Sequence, residues 1–168
     1  MQTRLSPPGP WPNRMPFHRW TMTFLARFFA LPPREQATAI EAALCLGCAR
    51  LLLLVPFRRL APFLGAPQGG GDLATAALDA QGRTEALAIR RALLRVAARL
   101  PWRSSCLVCA IAGRMMLWRR RLPSSLYLGA RTDSQAALAA HAWLRCGEID
   151  VVGAEIADQY APIVAFKA

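Results

Sequence analysis

The apolar pattern of this chain changes period once, at Pro123, and that change limits the folds open to it. Upstream, apolar residues recur at helical spacing. Downstream, four short runs (Ser125–Arg131, Ala139–Cys146, Ile149–Val152 and Ile163–Phe166) alternate or cluster as strands do. Helices first and strands last predict an α+β fold rather than a parallel α/β one. Either Cys146-Gly147 or Gly147-Glu148 supplies a tight hairpin between the second and third strands.

The upstream part divides at its prolines and glycines. Residues 1–22 read as a flexible, Pro-rich tail, with five of the 13 prolines falling in the first 20 positions. Residues 23–64 read as a helical segment: a short helix over Thr23–Leu31, then a long one over 34–55 started by Pro32-Pro33. The long run nears membrane-spanning length, but Glu41 and Arg50 interrupt it, which predicts a helix buried or facing a partner. Pro56-Phe57-Arg58-Arg59-Leu60 continues as a basic amphipathic piece able to touch a membrane surface. Residues 65–83 read as a Gly- and Ala-rich linker or loop with no phosphate-cradling pattern. Residues 84–168 form the core domain: Thr84 is the expected cap of a helix over 85–99, and Ser104 or Ser105 caps the next. That helix ends in Arg119-Arg120-Arg121, favourable at the negative end of its dipole.

At 168 residues the chain is long enough for one domain with a real core, and 54% apolar residues exclude a disordered class. The formal charge is +11 and Lys167 is the only lysine. This bias reads either as a genome-wide codon effect or as a basic surface for an acidic partner. Five cysteines (45, 48, 106, 109 and 146) with no secretory signal in residues 1–20 predict free thiols in a reducing, cytoplasmic setting.

Cys106 falls where a helix begins. Unpaired N–H groups and the positive dipole end favour an anion there, and Arg103 adds charge. The same N–H groups suit an oxyanion. The bland alternative is a buried structural cysteine. His141 lies in a strand, where it shares a face with Trp143 and Arg145, and it gains interest only opposite Cys106. A third group should orient the imidazole. Asp150 is the expected one, on the same sheet face across the hairpin, unless it merely pairs with Arg145; Glu155 and Asp158 are alternatives.

The order Trp102-x-x-x-Cys106-Leu107, a Met- and Arg-rich helix, Leu126-Tyr-Leu-Gly129-Ala, then Ala140-His-Ala-Trp143 resembles the lasso peptide biosynthesis B2 proteins, which are transglutaminase-like cysteine peptidases. The segment with Glu41, Arg50 and Leu51-Leu-Leu-Leu-Val-Pro-Phe-Arg-Arg-Leu60 is similar to the helical N-terminal part of stand-alone members. The resemblance implies a papain/transglutaminase-like fold, with N-terminal helices followed by a small antiparallel sheet packed on the Cys-bearing helix. It implies a leader peptidase acting on a ribosomally made precursor, with Cys106 as nucleophile and His141 as base, no cofactor and no metal. The implied partners are the precursor peptide, a separate leader-recognition protein of winged-helix type and, further off, an ATP-dependent lasso cyclase. In related proteins an Asp follows the strand after His-Ala-Trp; here Gly153 stands near that place.

Two rival readings remain. Cys45-x-x-Cys48 and Cys106-x-x-Cys109 match the thiol tally of a structural zinc site built from four cysteines, though at i, i+3 on helices they suit core positions. Arg58-Arg59 and Arg119-Arg120-Arg121 are the contacts expected of a non-catalytic binding module for nucleic acid or membrane, or simply a solvated face. The peptidase reading expects no nucleic acid and makes membrane association the less favoured contact.

Overall fold

The computed structural model describes residues 28–60, 66–69, 76–102, 104–132 and 138–167. The expected tail and most of the expected Thr23–Leu31 helix lie outside these residues. The chain divides into two compact units, Met1–Gln36 and Ala37–Ala168. In the first, the Phe28 and Phe29 rings meet edge to face at 5.5 Å. Gln36 there donates its side-chain amide to the Leu31 carbonyl at 2.8 Å.

Helix α1 runs Pro33–Leu52, with Pro at the first helical position, where its missing N–H costs nothing. It stops short of the expected end at 55, and tight turns (Leu54 N–H to Leu51, Val55 N–H to Leu52) carry the chain to Pro56. Pro56 disfavours helical geometry at the residue before it. A four-residue turn of helix, α2 (Phe57–Leu60), follows. Among the described residues no helix is long and apolar enough to cross a membrane.

The expected linker contains structure. Ala66–Gly69 form strand β1, and helix α3 spans Ala80–Ala97. The expected cap, Thr84, instead lies inside α3, where its hydroxyl donates to the Ala80 carbonyl at 2.9 Å. Asp79 is the cap: its carboxylate accepts from the Gly82 N–H at 2.6 Å. Helix α4 (Cys106–Arg119) is capped by Ser105 and buries nine of its 14 residues, which makes it the central helix. It ends where Arg121 turns left-handed at φ 55°.

The strands are β2 (Ser125–Thr132), β3 (Leu138–Cys146), β4 (Ile149–Val152) and β5 (Ala161–Lys167), with a 3-10 helix, Ala154–Gln159, between the last two. All pairings are antiparallel, in the order β1-β5-β2-β3-β4. Gly147-Glu148 is the hairpin turn, with Gly147 at φ 56°. Among the described residues β1 pairs only with β5, so Pro67 sits on an edge, where its missing donor is tolerated. The α+β expectation holds: helices precede a five-stranded antiparallel sheet. α4 lies on β3 and β4, and its Gly113 sits so close to Leu144 that a Cβ there would be 2.7 Å from the Leu144 side chain. Leu46, Ile89, Leu93, Met116, Leu117, Leu126, Leu144 and Val151 are the large side chains that close this core.

Candidate active site

Cys106 is the first residue of α4 because Ser105 ends the preceding extended backbone (φ −66°, ψ 161°) and turns its hydroxyl to the Val108 N–H at 3.3 Å. The Ser105 carbonyl accepts the first intrahelical bond, from Cys109 at 3.0 Å. Helix geometry leaves the N–H groups of Cys106 and Leu107 without an intrahelical acceptor. They form a pair of donors beside the sulfur, as an oxyanion requires. Cys106 is a half-buried free thiol. Cys109, one turn deeper, is buried, and burial, with the Cys106 sulfur adding to it, pushes its thiol up to about 11.

Beside this first turn a cavity of about 530 Å³ opens between the end of α1 and the start of α4. Leu51, Leu54, Trp102 and Val108 give it apolar walls, Arg50 a positive charge, and Ser105 a shared boundary with the thiol.

His141 stands on β3 opposite Gly129 and is 9% exposed. Its Nε2 lies 2.7 Å from the Gly153 carbonyl oxygen. The ring is flanked by Trp143 (6.0 Å between centroids) and Tyr160 (5.0 Å). Trp143 in turn stacks flat on Tyr127 at 5.3 Å. That stack explains Gly129: a Cβ there would come within 2.8 Å of the Trp143 ring. Tyr127, Trp143 and Ala165 are buried together, with Ala157 and Tyr160 closing over them from the 3-10 helix and its end. Strand alternation therefore sends His141 and Trp143 to one face of β3 and Leu144, under α4, to the other. The thiol and the imidazole thus stand on packed elements, α4 and β3, but the structure does not bring them together: the imidazole lies on the face of β3 away from α4, and its hydrogen bond goes to Gly153 and not to the Cys106 sulfur.

Asp150 does not orient the imidazole, contrary to the sequence expectation. The Gly147-Glu148 turn pairs Cys146 with Ile149 and Arg145 with Asp150. Asp150 thus lies four residues along β3 from His141, roughly 13 Å at the usual strand rise. Its carboxylate meets Arg145 Nε at 3.0 Å, and its backbone carbonyl accepts from Arg90. Glu155 pairs with Arg90 at 3.6 Å, and Asp158 lies in the exposed part of the 3-10 helix. The contact that sequence reasoning missed is a main-chain carbonyl, which leaves no side-chain signal.

The rival sites fare differently from their expectations. Cys45, Cys48, Cys106 and Cys109 are all free, and no three His, Cys, Asp or Glu among the described residues gather as a metal would need. Cys45 and Cys109 are core residues. The Arg119-Arg120-Arg121 run is not a bare basic patch. Arg120 reaches Glu41 with both terminal nitrogens (2.7 and 3.0 Å) and Glu85 with Nε (3.1 Å), and Arg119 lies 3.4 Å from Glu41. Hydrogen bonding to Glu41 leads the effects that raise the Arg120 pKa above its usual value.

Comparison with known proteins gives no match among curated proteins and none among solved structures. The model of the transglutaminase-like superfamily matches residues 51–165. That span holds the capped thiol of α4, the strand with His141 and the 3-10 helix that packs over it. A match over most of its length means that the chain belongs to the transglutaminase-like superfamily.

Proposed function

We propose that this protein is a cysteine peptidase that removes the leader from a ribosomally made lasso peptide precursor in the cytoplasm. The observation that carries the reading is Cys106 as the Ser105-capped first residue of α4, a helix packed on the strand that bears His141. The superfamily match supports the cysteine-enzyme chemistry, and the motif order from Trp102 to Trp143 supports the narrower assignment.

The chemistry needs only the chain's own groups and water. His141 takes the proton of the Cys106 thiol, and the sulfur attacks the scissile carbonyl carbon. The oxyanion is received by the first-turn N–H groups. The C–N bond breaks as His141 returns the proton to the leaving amine. A water, deprotonated by His141, then attacks the thioester, and the thiol is restored. The proton transfer requires the sulfur and the imidazole to meet when the precursor binds, which takes a rearrangement at β3, because in the free protein His141 packs on Trp143 and Tyr160 on the side of the sheet away from α4. The cavity walled by Leu51, Leu54 and Trp102 receives an apolar side chain of the precursor next to the cleaved bond.

The net charge of +11 suits an acidic leader, or a separate recognition protein of winged-helix type that presents it. The released core would then pass to a lasso cyclase. The test is mass spectrometry of a candidate precursor incubated with this protein and a recognition module. Cleavage is expected with the natural chain and is lost with Cys106→Ala and with His141→Ala. Undiminished cleavage by Cys106→Ala ends the peptidase reading.

A further inference from the structure

We infer that the main-chain carbonyl of Gly153 is the positioning group for His141, in the place where a carboxylate would complete a Cys-His-Asp set. The inference rests on the peptidase reading for the role of His141, but not for the geometry that follows.

Three observations converge. The Gly153 oxygen is 2.7 Å from His141 Nε2, and a carbonyl oxygen only accepts. Nε2 is therefore the protonated nitrogen of the neutral ring, and Nδ1 is the free base. Gly153 is in the left-handed region at φ 77°, which aims its carbonyl back at β3 as the chain enters the 3-10 helix. Thirdly, no side chain fits at this position. A Cβ at 153 would lie 2.6 Å from the Ala142 carbonyl, 3.2 Å from His141 Nε2 and 3.3 Å from Trp143 Cα. Of the carboxylates nearby in sequence, Asp150 is engaged with Arg145 and Glu155 with Arg90, and Asp158 is exposed on the 3-10 helix. Trp143 and Tyr160 hold the ring from its sides, so that the carbonyl has only to choose the tautomer and the in-plane direction.

A neutral acceptor does half the work of a carboxylate. It fixes which nitrogen accepts the Cys106 proton, while it adds no negative charge beside the imidazolium formed in the reaction. The glycine is thus part of the site's construction, and returning an Asp to position 153 breaks the site instead of completing it.

The test uses the full chain carrying His18→Gln, which leaves His141 as the only histidine. Nitrogen-15 NMR of the imidazole, under conditions where the ring is neutral, is expected to show one tautomer, with the proton on Nε2. A proton on Nδ1, or rapid averaging of two tautomers, overturns the inference. In the natural background, Gly153→Ala and Gly153→Asp are expected to lower kcat about 10–100-fold, the usual cost of disturbing an orienting partner. Alongside the loss, the single Nε2–H tautomer should give way to a mixture in folded protein. A folded Gly153→Asp variant with kcat equal to or above the natural chain's also overturns it. The two readings fail separately: full activity in His141→Ala removes the peptidase but not the tautomer, and the wrong tautomer removes the carbonyl's role but not the peptidase.

Discussion

Asp150 and Arg145 face each other across the β3–β4 ladder with 3.0 Å between Oδ1 and Nε. Both side chains are partly exposed, at 45% and 33%. The pair is therefore a sheet contact of about 0–1 kcal/mol, not part of a proton relay. Asp150→Asn is expected to leave kcat on the precursor within about twofold of the natural value and to move the urea midpoint only slightly. A loss of activity on the scale of a missing triad carboxylate, about 10,000-fold, would return Asp150 to the site.

What the amino-acid sequence discloses here, and what it conceals, follows the range of the interactions. Ser105 and Cys106 were legible because a cap is decided within about four residues, and the Gly147-Glu148 turn because a hairpin is decided within about two. Asp79 was hidden by Gly82, which reads as a loop glycine and is a buried position of α3. β1 was hidden because Ala66-Pro-Gln-Gly69 has no strand character of its own; the free edge of β5 makes it a strand. The partner of His141 was concealed most fully. Its identity depends on the register shift between Leu144 and Arg145 and on the positive φ of Gly153, and only the missing Asp at that place hinted at a difference.

Glu41 and Arg120 lie 79 residues apart and form a two-pronged carboxylate–guanidinium pair, with side chains 13% and 23% exposed. The pair ties α1 to the end of α4, and Glu85 brings in α3. Arg120→Ala leaves a largely buried carboxylate without its main partner, and a loss of about 2–4 kcal/mol is expected from urea unfolding. Arg120→Lys should recover little of it, because an ammonium cannot reproduce the planar fork. Full recovery by Lys would reduce the contact to simple charge attraction.

The five thiols should separate by accessibility. Cys48 is exposed and Cys106 half-buried, whereas Cys45, Cys109 and Cys146 are buried. Burial also pushes the Cys109 and Cys146 thiols up to about 11, and it raises that of Cys45. Brief treatment of the native protein with iodoacetamide near neutral pH is expected to label Cys48 and Cys106 and spare the other three. In a Cys48→Ser background, activity should fall in step with modification of Cys106. Activity that survives full labelling of Cys106 would contradict its role as nucleophile.

The same burial gives the fold an alkaline weakness. In the folded chain Cys109 and Cys146 keep their protons to about pH 11, against 9.0 for an unperturbed thiol. Between those values the unfolded state binds fewer protons than the folded one, so stability falls as pH rises. Below 9.0 both states hold the protons and the two thiols contribute no slope. Melting temperatures measured in reductant are therefore expected to decline through this window. In a Cys109→Ala, Cys146→Ala double variant the decline should be shallower, even though the variant starts from a lower melting temperature because two buried sulfurs have been removed. An equal slope in the double variant would place the alkaline sensitivity in other groups.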